Sequence, residues 1–313
     1  MSGWLPTAPC TPEACAAHEG RAASVPQAVA RLACAAALTL LAALTAPPVR
    51  LLPRRPRHAL VRVWAAALLR ALGIRVSVHG SPGPDGGRLV VANHISWLDI
   101  PLVAAVLPCR MLAKSEIGAW PVLGRLAARA GTLFIERDRI RALPHTVDTL
   151  TRSLLAGDRV TVFPEGSTWC GRAQGPFRRA AFQSALDARV PVQPVRIAYR
   201  SAADGRLAGA PAFVGNDPLT ASLWRIARAR GIRAEVRLLP RIPSGRHPDR
   251  RDLAKAAQEA VRGDTGQPTP PGIPTQPSRP SATDRDSAKR PSTSVHQRVD
   301  ASPAAASSRR TPS

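Results

Sequence analysis

From Ile74 to Val261 short apolar runs alternate with helix-like segments, and this alternation limits the possible folds sharply. The runs are Ile74–His79, Leu89–Ala92, Arg110–Ala113, Thr132–Glu136, Val160–Phe163, Val192–Ala198 and Ala234–Leu239. The helix-like segments are Leu98–Leu107, Val122–Ala130, His145–Leu155, Arg178–Asp187, Pro218–Arg230 and Arg250–Val261. Strands that are apolar throughout are usually buried on both faces. The pattern predicts an α/β domain over 73–262, with a mixed, mostly parallel sheet covered by helices. Ligands in such sheets usually sit beyond the strand ends, so the loops after the strands are the places to look for chemistry.

The flanks differ in kind. Residues 1–25 carry Pro, Ala and small polar residues without a period, and read as a disordered N-terminus. Residues 26–72 read as a membrane anchor followed by an interfacial helix. The segment LACAAALTLLAALTA, Leu32 to Ala46, is uncharged and helix-prone, with Pro47 and Pro48 as its expected end. At ~1.5 Å per residue it extends about 22 Å. A bilayer core is about 30 Å thick, so spanning needs flanking residues such as Val29 to join and Arg31 to snorkel. A buried helix of a soluble domain and a signal peptide are the competing readings. Arg50, Arg54, Arg55 and Arg57 lie directly beyond the prolines. The positive-inside rule keeps such a cluster cytoplasmic, which favours an anchor and puts the rest of the chain at the cytoplasmic face of the cell membrane. From His58 to Leu72 an amphipathic helix suits either the membrane interface or packing on the next domain. Residues 263–313 are rich in Pro, Ser, Thr and Arg, and their composition predicts a disordered tail.

Charge points to an anionic partner. There are 44 Lys and Arg against 21 Asp and Glu, a net +23. Nucleic acid and an anionic membrane surface both attract such a chain. The arginines are dispersed, without aromatic interleaving or a nucleic-acid reading motif, so no nucleic-acid partner is expected. The five cysteines include no CxxC and are odd in number, which indicates neither a disulfide framework nor a zinc site. Cys170, close to one of the blocks described next, reads as incidental.

Four blocks carry candidate chemistry. The first, Asn93-His94-Ile95-Ser96-Trp97-Leu98-Asp99, follows the apolar run Leu89–Ala92. On a continuous helix His94 and Asp99 would lie about 140° apart, so they meet only across a strand-to-helix junction. There the carboxylate can fix the imidazole tautomer and stabilise imidazolium while the other ring nitrogen takes a proton. The competing reading is a capping box, Ser96-x-x-Asp99, with His94 an ordinary loop histidine. The second block, Val162 to Thr168, ends a strand at Phe163. Pro164 stops the ladder, Gly166 permits close backbone approach, and Glu165 could hold a polyol hydroxyl or be a solvated turn residue. The third, Gly131 to Arg139, delivers Arg137 and Arg139 into a loop, where they could clamp a phosphate or pair with Glu136 and Asp138. The fourth, Val190-Pro191-Val192-Gln193-Pro194-Val195, reads as packing.

Together and in this order the blocks resemble the 1-acyl-glycerol-3-phosphate acyltransferase (lysophospholipid acyltransferase) family over about residues 57–262. The family's N-H-x-x-x-x-D motif is matched by Asn93, His94 and Asp99. Its Phe-Ile-x-Arg strand end is matched by Phe134, Ile135 and Arg137, and its Phe-Pro-Glu-Gly-Ser/Thr motif by Phe163 to Ser167. Its V-P-V-x-P-V strand is matched at 190–195. Lys114-Ser115-Glu116, with Pro121 and Gly124, resembles the family's Lys-containing stretch. The resemblance implies transfer of a fatty acyl group from acyl-CoA or acyl-carrier protein to a lysolipid hydroxyl, lysophosphatidate first among the acceptors, without an acyl-enzyme, cofactor or metal. It implies His94 and Asp99 as the catalytic pair, and Lys114, Arg137, Arg139, Glu165, Gly166 and Ser167 as substrate-binding residues. Two positions depart from the pattern. Thr168 stands where the family often has Arg, and Phe177-Arg178-Arg179-Ala180 stands where Phe-Lys-x-Gly is common. Relatives that acylate lyso-ornithine lipids, which lack a phosphate, often differ around this spot.

Overall fold

The computed structural model describes residues 8–120, 123–136 and 139–263. The elements in chain order are α1 (Pro12–Cys15), α2 (Val25–Leu51), α3 (Arg54–Ala71), β1 (Ile74–His79), β2 (Arg88–Ala92), α4 (Asp99–Val106), β3 (Arg110–Lys114), α5 (Ser115–Gly118), α6 (Leu123–Arg129), β4 (Leu133–Ile135), α7 (Leu143–Leu155), β5 (Arg159–Val162), α8 (Ala180–Asp187), β6 (Val192–Ser201), α9 (Leu219–Arg228), β7 (Ile232–Leu238) and α10 (Arg250–Arg262). All seven expected strands are present. They form one sheet in the order β1-β7-β6-β2-β5-β3-β4, and only β6 and β7 pair antiparallel.

Alternation along β2 shows why both faces need helices. Val90 and Ala92 enter one core with Leu68, Leu69, Leu102 and Ile226, from α3, α4 and α9. Leu89 and Val91 enter the other with Leu150, Phe182 and Ala257, from α7, α8 and α10. β2 is buried at every position, so the loop that leaves its carboxyl end starts from within the core.

The N-terminal region departs from expectation twice. Residues 8–24 are not a loose tail. Cys10, Ala16 and Ala23 are buried, and Ala22 bridges Ala229 at the end of α9. Their small side chains give no periodic signal, which is why composition alone reads as disorder. The second departure is α2, which runs through Pro47 and Pro48 to Leu51. Pro47 cannot donate to the carbonyl of Ala43. That oxygen instead accepts from the Arg129 guanidinium at 3.0 Å, which restores the lost bond. At ~1.5 Å per residue the 27-residue helix is about 40 Å long. It is long and apolar enough to cross a membrane. Arg31 does not snorkel; its guanidinium caps the carbonyls of Ala227 (2.9 Å) and Ala229 (2.8 Å) at the end of α9. Trp64 Nε1 donates to Leu38 O at 2.9 Å and pins α3 to α2.

Candidate active site

The site grows from the carboxyl ends of β2 and β5. The side chain of Asn93 continues the β2–β6 pairing beyond the strand. Its Nδ2 donates to Ile197 O at 2.9 Å, and its Oδ1 accepts from Ile197 N at 2.8 Å. The chain then turns through His94–Leu98 into α4, which opens on Asp99. This is the strand-to-helix junction that lets residues five apart meet. His94 Nδ1 lies 2.9 Å from Asp99 Oδ2. The same oxygen accepts from the backbone N–H groups of Ile95 (2.6 Å) and Ser96 (2.9 Å), and Oδ1 accepts from the Tyr199 hydroxyl at 2.7 Å.

Asp99 is wholly buried, and an unpaired carboxylate there would cost several kcal/mol. Four donors offset that cost. Burial, with the neighbouring Asp99 charge, pushes the Tyr199 hydroxyl well above its ordinary pKa, so it remains a donor. The Ser96 N–H to Asp99 bond is half of a capping box. Ser96 Oγ instead accepts from Leu98 N at 3.3 Å. Capping and imidazole orientation are therefore two duties of one carboxylate.

A carboxylate beside Nδ1 holds the proton there and leaves Nε2 as the acceptor. Among the described residues Nε2 has no hydrogen-bond partner. The ring stacks on Phe163 with centroids 4.1 Å apart and planes 16° from parallel. Both backbone groups of His94 are held by the Phe163–Gly175 stretch. Its N–H donates to Glu165 Oε2 at 2.8 Å, and its carbonyl accepts from Trp169 N at 2.7 Å.

Glu165 does not reach out to a polyol hydroxyl as expected. It is 2% exposed, and its Oε1 accepts from Gly175 N at 3.1 Å, so both oxygens serve the protein. Burial pushes its carboxyl up to about 8, against the pull of the two N–H donors. It positions His94 from beneath. Gly166, at φ +74°, makes the turn that allows this, in a region only glycine enters at little cost.

His94 faces an open trough of about 2540 Å³. One wall is the helical pair, with Leu38, Leu41, Leu60 and Trp64, and another carries Trp97, Ile100 and Ala104. Gly166, Ser167 and Thr168 line it beside His94, and Lys114 lies on it at the exposed end of β3. Ser167 Oγ is buried and has no hydrogen-bond partner among the described residues. Arg139 does not line the trough. It is largely exposed and pairs with Glu136 at 3.2 Å, the ion-pair arrangement open to it from sequence. Arg137 lies outside the described residues. The residue that sequence reasoning missed is Tyr199, the chain's single tyrosine, which directly follows the apolar run Val192–Ala198 and falls inside β6 only once the strand is seen to extend to Ser201.

Comparison with known proteins fits this geometry. The family model described as Acyltransferase matches residues 75–198, which hold the His94–Asp99 pair, Glu165 and the start of β6. A lyso-ornithine lipid O-acyltransferase of Pseudomonas aeruginosa is 42% identical over 208 residues, 66% of this chain and 78% of that protein. A 1-acyl-sn-glycerol-3-phosphate acyltransferase of Neisseria gonorrhoeae is 35% identical over 212 residues, 67% of this chain and 82% of that one. The chain belongs to the 1-acyl-sn-glycerol-3-phosphate acyltransferase family. The fold agrees. The crystal structure of the 1-acyl-sn-glycerophosphate acyltransferase from Thermotoga maritima superposes with a TM-score of 0.54, at 19% identity, over 75% of this chain and 95% of that one. In this acyltransferase the imidazole, its buried carboxylate and the loop beneath them form one hydrogen-bonded unit at the mouth of an apolar trough.

Proposed function

We propose that this acyltransferase moves a fatty acyl group from a thioester, acyl-CoA or acyl-carrier protein, to the free hydroxyl of a lysolipid at a membrane surface. The observation that carries this is His94, polarised by Asp99 on one side and opening on the other into a trough walled by Leu38, Leu41, Leu60 and Trp64. A base that faces apolar walls suits an acceptor whose reacting hydroxyl sits next to a hydrocarbon chain.

His94 Nε2 removes the hydroxyl proton as the oxygen attacks the thioester carbonyl. The Asp99 charge stabilises the imidazolium formed. As the tetrahedral intermediate collapses, the C–S bond breaks, the ester C–O bond remains and His94 returns its proton to the leaving thiolate. Ser167 Oγ, an unpartnered donor on the trough wall, is suited to steady the oxyanion or a head-group oxygen.

Two acceptors are consistent with the site. Lys114 on the trough supplies a cation for a phosphate, as lysophosphatidate requires. Lyso-ornithine lipid is favoured by Thr168 in the trough where an Arg is common, by the turning away of Arg139, and by the name of the Pseudomonas relative. Membrane attachment through α2 and α3, with the body of the chain at the cytoplasmic face, is part of the same reading. It rests on the length of α2, on exposed Leu40, Leu41, Leu44 and Leu51, and on Arg50 to Arg57.

The test is a purified-enzyme assay with lysophosphatidate and lyso-ornithine lipid, each offered with acyl-CoA and acyl-carrier protein. One acceptor should dominate, and His94→Ala should remove its turnover. Activity on neither acceptor, or a His94→Ala variant near wild-type rate, would refute the reading.

A further inference from the structure

Three of the five cysteines, scattered in sequence, converge in space. The Sγ atoms of Cys10, Cys15 and Cys170 all lie within 4.8 Å of one another. Sequence spacing gave no hint of this, because two come from the N-terminal segment and the third from the loop after β5. Local structure brings them together. Thr11 caps α1, with Ala14 N 3.4 Å from its Oγ1 and Cys15 N donating to its carbonyl at 3.0 Å, so one short turn carries Cys10 and Cys15 to the same side. Gly171, at φ +83°, bends the chain back directly after Cys170.

We propose that Cys10, Cys15 and Cys170 form a three-thiolate site for a thiophilic metal ion, with zinc as the ion it fits. At a Zn–S distance of about 2.3 Å, tetrahedral geometry puts the sulfurs about 3.8 Å apart. The observed sulfurs, all within 4.8 Å of one another, are already near this spacing. A disulfide would bring two sulfurs to about 2.0 Å and leave the third unused, whereas a metal uses all three. On binding, the thiols release their protons to solvent and three S–Zn bonds form, with no change of oxidation state. Cys10 and Cys170 are 7% and 9% exposed, while Cys15 is partly exposed, so the fourth position opens on its side, where water can complete the shell.

The site would clamp residues 8–24 to the loop that holds the active site. Trp169, next to Cys170, donates to the His94 carbonyl, and five residues beyond Cys170 the backbone N–H of Gly175 holds Glu165. Metal there would stiffen the support of His94 without touching the substrate.

The experiment uses full-length protein purified in reducing buffer and stripped of metal. Zn²⁺ is titrated against a chromophoric chelator, Co²⁺ serves as a spectroscopic stand-in, and free thiols are counted before and after. One Zn²⁺ per chain is expected, with a sulfur-to-cobalt charge-transfer band in the near ultraviolet and a rise in Tm on adding Zn²⁺. Cys15→Ser, at the most accessible ligand, should fold normally by circular dichroism and bind Zn²⁺ at least about tenfold more weakly. Failure to bind stoichiometric Zn²⁺, undiminished binding by Cys15→Ser and by a Cys10→Ser/Cys170→Ser double variant, or loss of two thiols without metal would each overturn the proposal. None of these readouts requires catalysis, so the metal site and the acyl-transfer reading fail separately.

Discussion

At the His94–Asp99 pair, one buried carboxylate accepts hydrogen bonds from an imidazole, two backbone N–H groups and a tyrosine hydroxyl. This makes Asp99→Asn an informative variant. The amide oxygen can take the Oδ2 position and keep the Ile95 and Ser96 bonds, while the amide nitrogen faces Tyr199, whose hydroxyl can turn to accept. Folding should therefore survive, but the charge that stabilises imidazolium is gone. We expect kcat to fall by about 10²–10⁴-fold with a Tm within a few degrees of wild type. Steady-state kinetics and a melting curve check this, and an active variant would leave capping as the only duty of Asp99. Glu165 yields a second prediction. Its carboxyl is raised to about 8 by burial, whereas in the unfolded chain it titrates near 4.5. Between these values the native state holds the proton that the unfolded state has lost, so stability falls as pH rises. The contribution is whole below about 4.5 and gone above about 8. Denaturant midpoints across that window should decline, and more steeply in wild type than in Glu165→Gln, which carries no proton to lose.

Among the elements, α2 is the most instructive. A double proline ordinarily stops a helix, and reading Pro47 and Pro48 that way ends α2 at Ala46, short of its observed end at Leu51. The helix survives because a guanidinium from α6, more than 80 residues away in sequence, takes the orphaned Ala43 carbonyl. Arg129→Ala should therefore destabilise the protein by about 1–3 kcal/mol and loosen α2 near its C-terminal end. Chemical denaturation and amide exchange at residues 43–51 would report it, and unchanged exchange would show that the prolines need no such support. The same logic separates what was legible from what was not. Every strand could be read because an apolar run of four to seven residues, bounded by turn signals, is a local property. The His94–Asp99 junction could be read because both residues fall within one strand-to-helix turn. Tyr199, Gly175 and the approach of Arg129 to α2 could not, since each depends on which distant segments the sheet order places side by side. Glu165 was found by its motif but misjudged in role, because burial is decided by the fold around it. The cysteine cluster escaped for the same reason as Tyr199.

At the scale of the molecule, α2 both lines the trough, through Leu38 and Leu41, and carries exposed leucines away from it. Leu44 and Leu51 are 68% and 87% exposed and do not line the trough. They are the natural test of membrane attachment. The double variant Leu44→Glu/Leu51→Glu should move the protein substantially into the soluble fraction, because charge in the hydrocarbon region costs several kcal/mol. Turnover of a water-soluble short-chain acceptor should remain within about twofold of wild type, since the site is untouched. Retention on membranes in both low and high salt would place the attachment elsewhere. Wild-type protein should stay on membranes in high salt, because screening weakens the arginines but not the apolar helix.

The hydrogen bond between Tyr199 and Asp99 joins residues 100 apart in the chain, and Asn93 pairs with Ile197 across 104. This has a consequence for how the protein comes into being. During synthesis His94 and Asp99 leave the ribosome long before β6 exists, and until it does the carboxylate lacks one of its four donors and β2 lacks a neighbour. Long-range parallel pairing is slow to form, so the site is among the last parts to mature. Enzymatic competence on refolding is thus a clock for completion of the sheet: its return should lag behind helix formation and coincide with burial of the tyrosine ring.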